Sequence, residues 1–156
     1  MGDALGWVEG LSIANELRTS RWGYASVNAA HILGISLLVG AVVPLNLRLL
    51  GLWAQIPLPA LARILVPTAA GGLALAACAG ALLFSVRAQE YADLEIFQAK
   101  LLLIGLATAS AVYLHLREGL LLAEGSSSRQ RVHAAISLAC WLAALVCGRF
   151  IGFSMP

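Results

Sequence analysis

The stretch SVNAAHILGISLLVG, Ser26 to Gly40, is an unbroken apolar run that carries one imidazole, that of His31. It lies within a longer uncharged segment, residues 22–47, and a bilayer core about 30 Å thick needs about 20 such residues in a helix. The segment therefore predicts a membrane-spanning helix. Because ionisable groups are costly in lipid, the histidine inside it is a candidate functional residue.

The composition of the whole chain agrees with a membrane protein. Of its 156 residues, 60% are hydrophobic and 12% are charged, whereas a soluble domain has about 25% charged residues. Three more apolar segments, residues 64–86, 97–123 and 132–153, are long enough to span a bilayer. Because the connectors are short, the sequence predicts an all-α, antiparallel four-helix membrane bundle that forms a single domain over residues 1–156.

The N-terminal segment and the charged residues bear on how the bundle sits in the membrane. Apolar positions within residues 3–19 recur on one helical face, which predicts a helix in the plane of the interface. We call the membrane face next to this segment side A and the opposite face side B. Lys and Arg are equally frequent near the two faces, so the positive-inside rule does not orient the chain. The acidic residues concentrate near side A, which favours side B as the cytoplasmic face and both termini outside the cytoplasm.

Several function classes are excluded by what the sequence lacks. The formal net charge of +2, without a long Lys/Arg cluster, argues against nucleic acid as a partner. The sequence contains no G-x-S-x-G, H-E-x-x-H or Walker-type motif, and its cysteines form no C-x-x-C pair. We therefore expect a redox or accessory subunit in the lipid bilayer rather than a stand-alone enzyme.

His31 belongs to a polar stripe on the first predicted span. Tyr24, Asn28 and His31 share one helical face, and His31 lies about 13 Å in from side A at 1.5 Å per residue. Cations from the other three spans come to the same face of the membrane: Arg87, Lys100 and Arg149. An imidazole below such cations suits haem b, with the iron ligated by His31, the propionates bound by the cations and Asn28 in the same site.

Two simpler interpretations of these residues stay open. Lys and Arg side chains at the ends of membrane helices often extend to the interface and pair with nearby acids. The imidazole of His31 could form a hydrogen bond between two helices without binding any cofactor. The first interpretation concerns the three cations at side A, and the second concerns the histidine itself.

The other two histidines are expected near side B. His115 and His133 lie on either side of the turn EGSSSRQR, at similar depth on adjacent helices, where they could share a metal ion or a haem iron. A solvated interfacial histidine is the alternative for His133. On the fourth span, His133, Ser137, Cys140 and Cys147 form one stripe that suits copper(I), although a membrane cysteine is more often a small apolar residue.

Three segments carry a resemblance to known membrane proteins: HILGISLLVGAVVPLNLRLLG, FQAKLLLIGLA and RVHAAISLACWLAALVCGRFIGF. Together they resemble a bacterial family of small four-helix membrane proteins of unknown function, and more distantly the copper-resistance protein D and b-type cytochrome bundles. The resemblance implies a multi-pass protein of the bacterial inner membrane, with His31, Arg48, Lys100 and Arg149 as the important residues. The chain differs from b-type cytochromes because it has no second histidine level with His31.

Three functions are compatible with these observations. The first is a haem-binding or electron-transfer subunit of b-type cytochrome character, with His31 as the iron ligand. The second is a copper or small-solute transporter that uses His31 together with the cysteine stripe. The third is a non-catalytic accessory subunit of a larger membrane or periplasmic redox complex.

Overall fold

The computed structural model describes residues 2–122 and 127–154, and this part of the chain is helical, with no strand. Its helices are α1 Gly2–Glu9, α2 Ser12–Thr19, α3 Arg21–Leu49, α4 Leu58–Val86, α5 Ala88–Asp93, α6 Glu95–Glu118 and α7 Ser127–Ser154. Four of them, α3, α4, α6 and α7, are long and apolar enough to cross a membrane. The prediction of an all-α membrane bundle is confirmed.

The ends of the helices differ from the predicted spans at several places. Helix α4 begins at Leu58, ahead of the predicted start at 64, because Pro59 falls in the first turn, where a missing backbone N–H costs nothing. Helix α6 ends at Glu118, where Gly119 has a φ of 74° that L side chains rarely adopt. The predicted end of that span at residue 123 and the first three residues of the Gly/Ser turn, 124–126, lie outside the described residues. Helix α7 begins at Ser127, ahead of the predicted start at 132, so the rest of the predicted turn is helical. The predicted helix at 3–19 is divided into α1 and α2 at Gly10.

Helix α3 is the centre of the bundle and packs against α4 and α7, while α6 packs against α7. The contact between α3 and α4 is made by glycines. A Cβ atom on Gly34 would lie 2.5 Å from the backbone N of Ala76, and one on Gly72 would lie 2.5 Å from that of Leu38. Small residues of this kind allow two membrane helices to touch through their backbones.

Helices α4 and α6 make no close backbone contact with each other within the described residues, and each packs on one member of the central pair α3 and α7. Their side chains meet near side A, where the rings of Phe84 and Phe97 stack with their centroids 5.4 Å apart. Large apolar side chains point outwards from these helices, as in Ile64 (67% exposed) and Leu102 (65% exposed). Exposed apolar side chains on all sides are expected when lipid, not water, surrounds the bundle. Near side A, Trp7 and Trp22 are also exposed, at the depth where aromatic side chains anchor membrane proteins.

The side B end of the bundle is closed by contacts between the end of α6 and the start of α7. The Gln130 side chain donates to the Leu122 carbonyl at 3.0 Å. Glu118 is 2% exposed, and its Oε1 lies 3.7 Å from the Arg129 guanidinium. Neither carboxylate oxygen accepts a hydrogen bond from the residues that the structure describes. In the described part of the chain, the guanidinium of Arg129 is therefore the positive charge that compensates the buried carboxylate of Glu118.

Candidate functional site

His31 is held in one orientation by α4. Its Nδ1 lies 2.8 Å from the carbonyl oxygen of Ala76, and a carbonyl only accepts, so Nδ1 carries the proton. The ring lies directly over Gly80, where a Cβ atom would come 3.0 Å from the imidazole Cε1. Gly80 therefore makes room for the ring, and in the neutral imidazole the lone pair on Nε2 stays available as a ligand.

The hydrogen bond from His31 also links α3 to α4, so the predicted interhelical bond exists. The two interpretations of His31 are compatible, because a metal-binding histidine usually donates its other ring N–H to a carbonyl or a carboxylate. Asn28, one turn closer to side A, is exposed on α3.

Lys100 comes from α6 to the level of His31. It is half-buried, and its side chain passes α7 so closely that a Cβ atom on Gly148 would lie 3.4 Å from Nζ. The ammonium group lies within electrostatic range of both the His31 imidazole and the Cys147 thiol. Among the described side chains it forms no ion pair. The Lys100 amine of α6 thus has an imidazole from α3 and a thiol from α7 in its surroundings.

A cavity of about 520 Å³ opens at side A, between α2, α3 and the end of α4. Its polar lining residues are three arginines, two tyrosines and one serine: Arg18, Arg21, Arg87, Tyr24, Tyr91 and Ser20. The volume is within the range of about 300–1,000 Å³ that ligand pockets of folded proteins have. The cavity therefore offers a cationic site for an anionic group at the level of the membrane interface.

The side chains of this cavity are fixed by contacts between elements that are far apart in sequence. Arg18 donates to the Val86 carbonyl at 2.9 Å, and Arg87 forms an ion pair with Glu90 at 3.2 Å. Tyr24 of α3 lies close enough to Tyr91 of α5 to act on its phenol electrostatically. Burial raises the pKa of Tyr91, which lies in α5 outside the membrane spans, and the neighbouring Tyr24 adds to the rise.

The predicted cations occupy three different environments. Arg87 lines the side A cavity, and Lys100 lies deeper, beside His31. Arg149 is exposed, with its guanidinium 4.5 Å from the centre of the Phe153 ring, and is not part of the cavity lining. Arg48, the remaining residue implied by the resemblance, donates to the carbonyls of Ile56 (2.8 Å) and Ala54 (3.0 Å) and so stabilises the loop between α3 and α4.

Sequence reasoning missed Arg18, Arg21 and Tyr91 as members of the site. All three lie outside the interior of the predicted spans, and their approach to the cavity depends on how α2 and α5 fold onto α3 and α4. The sequence does show that Arg18 and Arg21 are basic residues near side A. Other basic residues share that position, so it does not single these two out.

The two other histidines lie in the side B half. His133 Nδ1 is 2.8 Å from the Ser110 hydroxyl, and His115 Nδ1 is 3.5 Å from the Gly119 carbonyl. Both line a second cavity, of about 190 Å³. Within residues 2–122 and 127–154, no three side chains of His, Cys, Asp or Glu converge as they would to hold a metal ion, and the three cysteines are free thiols.

Comparison of the chain with models of protein families, with curated proteins and with solved structures finds no match. The residues and their geometry are therefore the basis for assigning a function.

Proposed function

We propose that the protein is a membrane-embedded, haem-binding electron-transfer subunit of the bacterial inner membrane, with His31 Nε2 as the ligand of the iron. The hydrogen bond from His31 Nδ1 to the Ala76 carbonyl, at 2.8 Å, carries the proposal. It fixes the tautomer and the ring orientation that a ligating histidine needs, and it leaves the other nitrogen free.

The side A cavity supports the same proposal, because its arginines suit the anionic groups of haem. Haem propionates are carboxylates, and Arg binds carboxylates through two parallel hydrogen bonds. Arg21 is the guanidinium of this cavity for which the described residues provide neither an ion pair nor a hydrogen bond. We therefore assign the propionates to Arg18, Arg21 and Arg87, with Arg21 as the main contact.

Bound haem would supply one-electron redox chemistry, and the protein would supply the position and the electrostatics. The hydrogen bond to α4 fixes the orientation of the His31 imidazole, and Lys100 places a positive charge in its surroundings. His115 and His133 lie in the other half of the bundle. The proposal therefore assigns a single histidine ligand, unlike the two that many b-type cytochromes use.

The deciding experiment is an absorption spectrum of the purified protein from haem-replete cells, before and after dithionite, together with metal analysis. We expect a Soret band in the native protein and in a His133→Ala control, and loss of the band in His31→Ala. Where His31→Ala does not fold, Gly80→Ala replaces it, because the added Cβ displaces the ring and should shift the band.

A native protein without a Soret band would overturn the proposal, and stoichiometric copper in that sample would favour the transporter interpretation. A His31→Ala protein that keeps the full spectrum would remove His31 as the ligand. A spectrum lost in His133→Ala but kept in His31→Ala would move the haem to the side B half.

A further inference from the structure

The geometry points to a second binding site, in the side B half, for the hydroxylated aromatic head group of a lipid-soluble phenol. The site is the cavity of about 190 Å³ that lies between α4 and α6. This cavity shares no lining residue with the side A cavity, and its lining is neutral instead of cationic. The test of this site does not depend on whether haem binds.

The cavity is open towards the lipid. Its floor is formed by α3 and α7 and its walls by α4 and α6, and these two wall helices make no close backbone contact in the described part of the chain. Ala70 of α4 and Val112 of α6 line the cavity and are themselves exposed. A ligand can therefore enter from the hydrocarbon region between the two wall helices.

Charged side chains are absent from the described lining of the cavity, which excludes an ionic ligand as the preferred occupant. Polar but uncharged groups are present, and polar groups at membrane depth cost free energy unless they find a partner. Asn46, Ser137, Thr108, His115 and His133 all line the cavity. Such a lining favours a neutral molecule that has an apolar body and a few hydrogen-bonding groups.

The direction of the hydrogen bonds selects the kind of ligand. His115 Nδ1 faces the Gly119 carbonyl, which can only accept, so its Nε2 is an acceptor in the neutral ring. Asn46 Nδ2 donates to the Ser137 hydroxyl at 3.1 Å, which leaves the carbonyl oxygen of the Asn46 amide as a further acceptor. Thr108 and Ser137 also carry hydroxyl hydrogens, so the cavity presents donors as well as acceptors, which matches a phenolic hydroxyl because that group both donates and accepts.

The size and the lining favour an aromatic head group. A volume of about 190 Å³ is below the range of about 300–1,000 Å³ for drug-sized ligands, so the cavity can hold a single ring but not a porphyrin. Trp141, which is 6% exposed, lines the floor and offers an aromatic surface for stacking. The alkyl part of the ligand would extend between α4 and α6 into the lipid.

The test compares 4-hexylresorcinol with its dimethyl ether, which has the same body but no hydroxyl donor. Binding to the protein in lipid nanodiscs is followed by the fluorescence of Trp141 after Trp7, Trp22 and Trp53 are replaced by Phe. We expect saturable binding of the resorcinol and at least about tenfold weaker binding of the ether, since each lost hydrogen bond weakens affinity by up to about tenfold.

Two matched variants locate the probe. Ala111→Phe, on the lining, should abolish saturable binding, whereas Ala109→Phe, exposed on the same helix but outside the lining, should leave it unchanged. Where Ala111→Phe does not fold, Ala70→Phe with Ala74→Phe as control tests the same point from α4. Equal affinity for resorcinol and ether would overturn the proposal and indicate an apolar filler such as an acyl chain. Unchanged binding in the cavity-filling variant would place the probe elsewhere and would also overturn it.

Discussion

The two cavities of the bundle differ in charge, size and access. The side A cavity, about 520 Å³, is lined by three arginines and lies at the level of the interface, whereas the side B cavity, about 190 Å³, has neutral polar groups and faces the lipid. Between them, α3 and α4 touch through Gly34 and Gly72. One small bundle thus offers an anion site and a neutral site, kept apart by a backbone contact that leaves no room for side chains.

The largest effect is expected where this contact is broken. In Gly72→Leu the added side chain meets the backbone of Leu38, because a Cβ atom would already lie 2.5 Å from its N. Overpacking costs about 1–3 kcal/mol, and we expect the upper end of that range because backbone atoms cannot move aside alone. Thermal unfolding in detergent, followed by circular dichroism, measures the loss.

Gly71→Leu is the matched control, since a Cβ atom at that position would meet no other part of the described protein within 4 Å beyond the backbone of its own helix. It should unfold at the temperature of the native protein or slightly above. If both leucine variants unfold alike, the contact between α3 and α4 does not set the stability of the bundle.

The second prediction concerns which arginine serves the anion site. Arg21→Gln should weaken haem binding about tenfold or more, because a hydrogen bond to a charged group contributes about 1.5–3 kcal/mol. Arg149→Gln should change it little, since Arg149 lies over Phe153 and outside the cavity. Haem titration of the apoprotein measures both, and a larger loss in Arg149→Gln would contradict the assignment.

These two arginines also show how far the sequence could predict the site. The apolar runs determine the spanning helices, because lipid forces the backbone to bond within each helix. His31 could be found the same way, as an ionisable group in an apolar run. The side-chain rotamer of Arg149 determines the direction in which it extends along α7. The approach of Arg21 to α4 depends on its own rotamer and on how α2 packs. No periodicity in the sequence carries that information.

The side B cavity was hidden from the sequence for a related reason. Thr108 and His115, seven residues apart on α6, both line the cavity. A short connector, however, indicates which helices follow one another, and not that the backbones of α4 and α6 make no close contact.

The third prediction concerns the hydrogen bond on the floor of the side B cavity. Asn46 Nδ2 and the Ser137 hydroxyl are 3.1 Å apart, and both residues are buried. A double-mutant cycle of Asn46→Ala and Ser137→Ala should give a coupling of about 0.6 kcal/mol, the average for such bonds in membranes. Reversible unfolding in mixed micelles measures it. A coupling near zero would mean that the two side chains are satisfied independently, for instance by water.

The smallest effect is expected at Tyr91, on the rim of the side A cavity. Its pKa is raised, chiefly by burial and further by Tyr24, so the folded protein holds the phenol proton more tightly than the unfolded chain does. This contribution to stability is fully present below the unfolded pKa of about 10 and is lost as the pH rises through the folded pKa.

Tyr91→Phe removes the ionisable hydroxyl, so it should lose less stability than the native protein between pH 9 and pH 11, as unfolding in detergent at both pH values would show. Tyr24→Phe should lie between the two, because it removes one cause of the shift and leaves the burial of Tyr91. An identical alkaline loss in all three proteins would mean that the phenol pair does not stabilise the side A cavity.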